Sequence, residues 1–207
     1  MNQEDNTLVF DFETLGTSQD SVILSATVLT FNSIRFLKNT HYEFEELVQK
    51  AVTQKYSVEE QVKNHGRKID PETLEWWSNQ DKVAKRILKP SPADVSIEVM
   101  PDLFREGIAK MRTLKRVYTR GTLDVILMHS VARQLGKPEF YPYYLWRDTR
   151  STIEAITSFI GVDDKLTQSF IPREAEGKFV QHVPEHDVAL DVMRLQSIMR
   201  LKLVMDS

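Results

Sequence analysis

The stretch VFDFETLG, residues 9–16, decides the reading of this chain. Val9, Phe10 and Phe12 mark a strand destined for the core, yet Asp11 and Glu13 interrupt it and Gly16 ends it. On a strand, side chains two positions apart project from the same face, so the two acids are neighbours. Adjacent carboxylates repel, and keeping both ionised takes a cation. Water would screen them on a solvated strand end, but the flanking Phe10 and Phe12 argue for burial.

Around this stretch the composition is that of an ordinary folded protein. The 207 residues are 41% hydrophobic and 28% charged, which excludes a disordered chain. The length suits one domain, expected to span residues 1–207. Cysteine is absent, so disulfides, thiolate metal sites and cysteine nucleophiles are excluded and any metal must be held by oxygen or histidine. The net charge of −3 argues against coating nucleic acid through a broad basic surface, though not against gripping a few nucleotides. No apolar run approaches the roughly 18 residues of a membrane helix, and MNQEDNT does not read as a signal peptide. A cytoplasmic protein with no membrane partner is expected.

The first third reads as a three-strand antiparallel meander: residues 7–13, the β-branched 21–32 and the alternating 36–48. Helices follow. In DPETLEWWSNQ, Asp70 is placed to cap, Pro71 to take the first helical position and Glu72 to lie in the first turn. KPSPADVS (89–96) is a loop from which Asp94 or Ser96 caps a helix reaching about Lys110. Residues 115–121 predict a fourth strand, Leu123 to Leu135 a helix closed by Gly136, and YLWRD a fifth strand with Asp148 or Thr149 capping the next helix. Residues 161–183 are irregular in pattern, and an amphipathic helix is expected over about 185–204. The order predicts one mixed α/β sheet of five strands, the meander plus two parallel strands, flanked by helices.

Further acids fall where such a sheet would gather them. Asp124 opens the helix after the fourth strand, where capping or a favourable dipole contact would also explain it. Asp191 lies in the last helix, five residues after His186. Five residues rotate a side chain about 140° around a helix, so His186 is expected at the helix entry, on less regular backbone. Four converging carboxylates would hold two Mg²⁺ or Mn²⁺ ions. Such a pair serves phosphodiester cleavage, with a histidine taking the proton of the attacking water.

D-x-E after a strand, an Asp after a fourth strand and H-x4-D in HDVALD together resemble the DEDDh, or DnaQ-like, 3′–5′ exonucleases of RNase H-like fold. The resemblance covers about residues 7–200, and RDTRSTIE is similar to the D-T stretch that many members carry at the fifth strand. DPETLEWW, RGTLDVILM and HDVALDVM look closest to the phage DexA-type exodeoxyribonucleases, and RNase AS-type exoribonucleases share the final motif. The resemblance implies metal ligation by Asp11, Glu13, Asp124 and Asp191, with His186 as general base. Asp187 and Asp191 can share a helix face, so spacing alone allows either; the H-x4-D pattern of the family assigns the role to Asp191 and leaves Asp187 to the helix N-terminus. The implied partner is the 3′ end of a nucleic acid, single-stranded DNA ahead of RNA.

The resemblance also implies substrate contacts from Thr14, Leu15 and Gly16, through backbone donors and an apolar contact, and from Arg120 on a phosphate; core packing and a turn would equally explain Leu15 and Gly16. Trp76 and Trp77 point about 100° apart on their helix, so only one of them fits fully in the core. The substrate-facing assignment goes to Trp77, as a surface for a base, with core or loop packing as the commoner explanation of such a residue. Lys110, Arg112, Lys115, Arg116 and Arg120 form a basic cluster that would guide a backbone or simply face solvent. His41, His65, His129 and His182 read as structural or surface residues, His182 least firmly because it lies four residues before His186.

Overall fold

The computed structural model describes residues 4–37, 40–159 and 170–205. A five-stranded sheet runs through its centre in the order β3-β2-β1-β4-β5. The strands are β1 (Thr7–Thr14), β2 (Ile23–Phe31), β3 (Val52–Lys55), β4 (Arg116–Thr119) and β5 (Trp146–Asp148). β2 lies antiparallel to both β1 and β3, whereas β4 and β5 run parallel to β1. The mixed sheet expected from the sequence is therefore the one observed. Seven α-helices are described: α1 (Phe44–Lys50), α2 (Val58–His65), α3 (Pro71–Ser78), α4 (Met100–Ala109), α5 (Leu123–Gln134), α6 (Thr149–Phe159) and α7 (Pro184–Met205). Among the described residues no helix is long and apolar enough to cross a membrane.

The third strand is corrected. Residues 36–48 do not form it: Ser33–Leu37 is a 3-10 turn and Phe44–Lys50 is helix α1, with residues 38–39 outside the described residues. Tyr42 and Phe44 imitate a strand's alternation, but Phe44 and Leu47 are spaced to bury one helical face. Glu45 and Glu46 sit in the first turn, where the helix dipole favours them. The strand proper is the short VTQK that follows.

Other local expectations match. Asp70 accepts from the Glu72 N–H at 3.0 Å with Pro71 opening α3, and Ser96 accepts from Glu98 N at 3.1 Å ahead of α4. Asp148 accepts from Arg150 N and Ser151 N, both at 3.1 Å, at the start of α6. The irregular stretch expected over 161–183 lies outside the described residues up to 169 and holds a short 3-10 turn at Arg173–Ala175.

The alternation along β1 sets the layers. Leu8, Phe10 and Phe12 pack with Phe104 of α4 and Leu127 and Met128 of α5 on one side. Val9 points the other way, into a core with Phe44 and Leu47 of α1, Ile153 of α6 and Val188, Val192 and Leu195 of α7. Asp11 and Glu13 share the parity of Val9, so they face the layer that contains α7. A smaller cluster, Leu15, Val22, Leu24, Trp77, Ala84 and Ile87, seats α3 against the end of β1.

Candidate active site

Pairing between β1 and β4 stops at Val9↔Tyr118, and the two strands then part. A cleft opens where parallel strands end beside a strand of reversed connection, the usual ligand position in an open α/β sheet. It measures about 770 Å³ and is lined by Asp11, Glu13, Asp124, Asp187 and Asp191 together with His182 and Trp76. Once β4 has departed, the Phe12 N–H has no strand partner on that side; it donates to Asp124 Oδ1 at 3.3 Å. The second residue of α5 is thereby fixed against β1.

Asp187, Asp191 and Arg194 lie along one stripe of α7, at spacings of four and three. Asp191 is only 4% exposed, and its Oδ1 accepts from Arg120 Nη1 and Arg194 Nη1, each at 3.1 Å. Asp187 differs: its Oδ2 is buried with no hydrogen-bond partner among the described residues. Glu13, His182 and Asp187 present ligand atoms that all lie within 4.8 Å of one another.

The charges of this cluster are poorly matched without a cation. Burial, then the field of Asp191, pushes the Asp11 carboxyl up to about 7, with Arg120 acting in the opposite sense. Burial and the neighbouring acids likewise raise Glu13, Asp124 and Asp187 well above the usual carboxylate range. A divalent ion removes that repulsion, and a donor set of carboxylates suits a hard cation. An unpartnered buried oxygen on Asp187 fits the same group.

His186 is placed elsewhere. It lies inside the first turn of α7, its Nδ1 accepts from Val180 N at 3.1 Å, and its ring rests 5.3 Å from Phe44 and 6.5 Å from Phe179. Within a regular helix it cannot share a face with Asp191, and it does not line the cleft. His182 does. Its Nδ1 stands 3.8 Å from Glu13 Oε2, and its ring meets Trp76 at 4.7 Å and Trp77 at 5.9 Å. Among the described residues it is the one non-glycine at positive φ, 61°, a conformation that costs about 1 kcal/mol or more and collects at functional sites. Burial lowers the proton affinity of the His182 ring.

The sequence held a signal for this. His182 and Asp187 repeat the H-x4-D spacing of His186 and Asp191, and Pro184 marks the first helical position between them. Two such pairs are thus present, and the helix start at Pro184 leaves His182 outside the helix and His186 inside it.

The expected substrate contacts divide similarly. Thr14 lines the cleft, with its hydroxyl donating to Gly16 O at 2.7 Å. Leu15 does not: it is buried beside Trp77, and its N–H donates to Val22 O at 2.9 Å, so it offers no free donor. Gly16 is a close approach, since a Cβ there would meet the Ser21 hydroxyl and lie 3.3 Å from Asp70 Cβ. Trp77 is 1% exposed and its Nε1 donates to Thr14 O at 2.9 Å, whereas Trp76 is 43% exposed and borders the cleft. Both tryptophans line the cleft, Trp77 as the buried one that anchors α3 to β1 and Trp76 as the exposed one. Of the basic cluster only Arg120 lines the cleft; Arg116 opens β4 at the opposite end of the sheet.

Known proteins resemble the chain in sequence and in fold. A T4 phage protein named exodeoxyribonuclease is 28% identical over 216 residues, spanning 93% of this chain and 88% of its own. The zinc-bound E. coli exonuclease I–single-stranded DNA complex superposes with a TM-score of 0.58 at 10% identity, over 98% of this chain. A product-bound exonuclease I structure gives 0.55 at 12% identity, over 99% of this chain. The chain spans only 41% and 44% of the length of those two structures, which carry the likeness of fold. The family model of the 3′-5′ exoribonuclease Rv2179c-like domain matches residues 6–178, and with this fold the chain belongs to that DnaQ-like 3′-5′ exonuclease family.

Proposed function

We propose that the chain, as one domain over residues 1–207, is a metal-dependent 3′→5′ exonuclease that releases nucleoside 5′-monophosphates, acting by preference on single-stranded DNA. The observation that carries the proposal is the convergence of Asp11, Glu13, Asp124 and Asp187 with His182 in one cleft at the strand ends, with Asp187 Oδ2 left without a protein partner. Asp11, Glu13, Asp124 and Asp187 would hold two Mg²⁺ or Mn²⁺ ions. The chemistry those ions supply is stabilisation of charge on the attacking and leaving oxygens of the phosphodiester.

The chain's own residues do the rest. His182 takes the proton of the attacking water at a ring nitrogen, and its lowered proton affinity keeps that nitrogen free at neutral pH. Rigid β1 fixes Asp11 and Glu13, and the Phe12 N–H holds Asp124 in line with them. Trp76 offers an exposed indole to a terminal base, where stacking works for any base. Asp191, in this reading, is the anchor of Arg120 and Arg194 rather than a ligand, and His186 is a packing residue.

DNA preference is supported by the T4 relative, which aligns over nearly the whole chain. The name of the family model favours a second reading, an exoribonuclease on the same site. The test is to incubate DNA and RNA oligomers of one sequence, labelled at either end, with Mg²⁺ or Mn²⁺. Faster shortening of 5′-labelled DNA from its 3′ end is expected. Equal or faster loss of RNA favours the second reading.

A further inference from the structure

Three arginines line the cleft, Arg120, Arg150 and Arg194, and they are not equivalent. Arg120 and Arg194 both donate to Asp191 Oδ1, and Arg194 Nε also donates to Phe170 O at 3.0 Å. The Arg150 side chain has no hydrogen-bond or ion-pair partner among the described residues. It is nonetheless carried on a stiff support. Asp148 Oδ1 accepts from Gly121 N at 2.8 Å and from Arg150 N at 3.1 Å, bolting the first turn of α6 to the turn after β4. Thr149 Oγ1 adds a bond to Thr119 O at 2.9 Å. Gly121, at φ 90°, takes a backbone conformation that favours glycine, and a Cβ there would be in ordinary contact with Arg150 Nη1 at 3.8 Å.

The Arg150 fork is exposed, carries no protein partner among the described residues and stands on a braced turn at the edge of a cleft lined by carboxylates. Its charge is already felt at Asp124. From this placement we infer that Arg150 is a substrate-binding residue that grips a backbone phosphate of the bound strand, next to the one being cut. The inference rests on the exonuclease reading and assigns the phosphate contact to Arg150, where the sequence pointed to Arg120. A guanidinium suits the task because it meets two phosphate oxygens at once, which a lysine ammonium does not. A net-negative chain also needs such a local contact to hold a polyanion.

The test is equilibrium binding of a 5′-fluorescein oligothymidylate to the full chain in Mg²⁺. Asp11→Asn is present throughout to remove turnover, and affinity is read by anisotropy across a salt series. Arg150→Ala is expected to weaken binding by about tenfold to a hundredfold at low salt. It should also flatten the slope of log affinity against log salt by about 0.7, the signature of one lost phosphate contact on a single strand. Arg150→Lys should keep the slope and recover only part of the affinity. Unchanged affinity in a folded Arg150→Ala protein overturns the inference, as does weaker binding at the parent slope, or a parent that binds no oligonucleotide. Without Asp11→Asn, Arg150→Ala should raise KM and leave kcat within about twofold, and a loss confined to kcat also overturns it. Arg150-dependent binding in a chain that hydrolyses nothing would leave the phosphate contact standing while the exonuclease reading falls.

Discussion

His182 holds its Nδ1 3.8 Å from Glu13 Oε2, in a left-handed backbone conformation and in T-shaped contact with the Trp76 ring. His186, four residues on, is turned toward Phe44 and bonded to Val180 N. Replacing His182 with Ala is therefore expected to lower kcat by about a hundredfold to ten-thousandfold. His186→Ala should leave kcat within a fewfold and lower stability by about 1 kcal/mol, the worth of its hydrogen bond. Single-turnover hydrolysis beside thermal melts reads both, and the opposite pattern would restore His186 as the base.

Asp187 and Asp191 should separate in the same way. Asp187→Asn removes one of several repelling buried carboxylates, so the metal-free protein should melt higher while Mg²⁺ or Mn²⁺ affinity and turnover collapse. Asp191→Asn leaves Arg120 and Arg194 without their shared anion and should cost about 3 kcal/mol of stability. Calorimetric metal titration and melting of both variants decide it. Metal binding lost in Asp191→Asn and kept in Asp187→Asn would reverse the assignment.

The raised carboxyls fix the sign of the pH dependence. Asp11 binds its proton more tightly folded, at about 7, than unfolded, near the ordinary 3.8 of an aspartate. Its contribution to the metal-free protein is thus fully present below about 4 and is lost as pH rises through 7. The melting temperature without metal should fall from pH 5 to pH 8, less steeply in Asp11→Asn, and added Mg²⁺ should raise it more at pH 8. A metal-free chain whose stability rises through that window, with the same slope in Asp11→Asn, would contradict the burial of these acids.

The two tryptophans give a separable pair. Trp77→Ala empties the space beside Leu15 and Leu24 and strands Thr14 O, at a cost of about 3–5 kcal/mol. Trp76→Ala should leave the melt nearly unchanged and weaken oligonucleotide binding by about fivefold to a hundredfold, the range for one lost base stack. Binding should quench tryptophan fluorescence in the parent and much less in Trp76→Ala. Full quenching in that variant would place the base elsewhere.

What could be read from the sequence follows from how local the cause is. Asp11 and Glu13 were legible because a strand's parity is fixed by covalent geometry, and Asp70–Pro71 and Gly136 because caps are chosen by neighbouring residues. The strand assigned to 36–48 misled because Tyr42 and Phe44 alternate locally, while the face that makes α1 a helix is defined only by α7, some 140 residues later in the chain. The histidines turn on a boundary: the two H-x4-D stretches, 182–187 and 186–191, overlap by two residues, and only the helix start at Pro184 separates them. Arg150 was not readable at all as a site residue, since its isolation depends on Asp191 occupying the other two arginines.

The central claim is that water cuts the 3′-terminal phosphodiester and leaves the phosphate on the departing nucleoside's 5′ oxygen. Mass spectrometry of the first small product released from single-stranded DNA in Mg²⁺ or Mn²⁺ tests it most directly. The expected product is a nucleoside 5′-monophosphate carrying the 3′-terminal base, formed only with metal and lost in Asp187→Asn. A nucleoside 3′-monophosphate, a fragment from the 5′ end, or the same product in the presence of a chelator would contradict it.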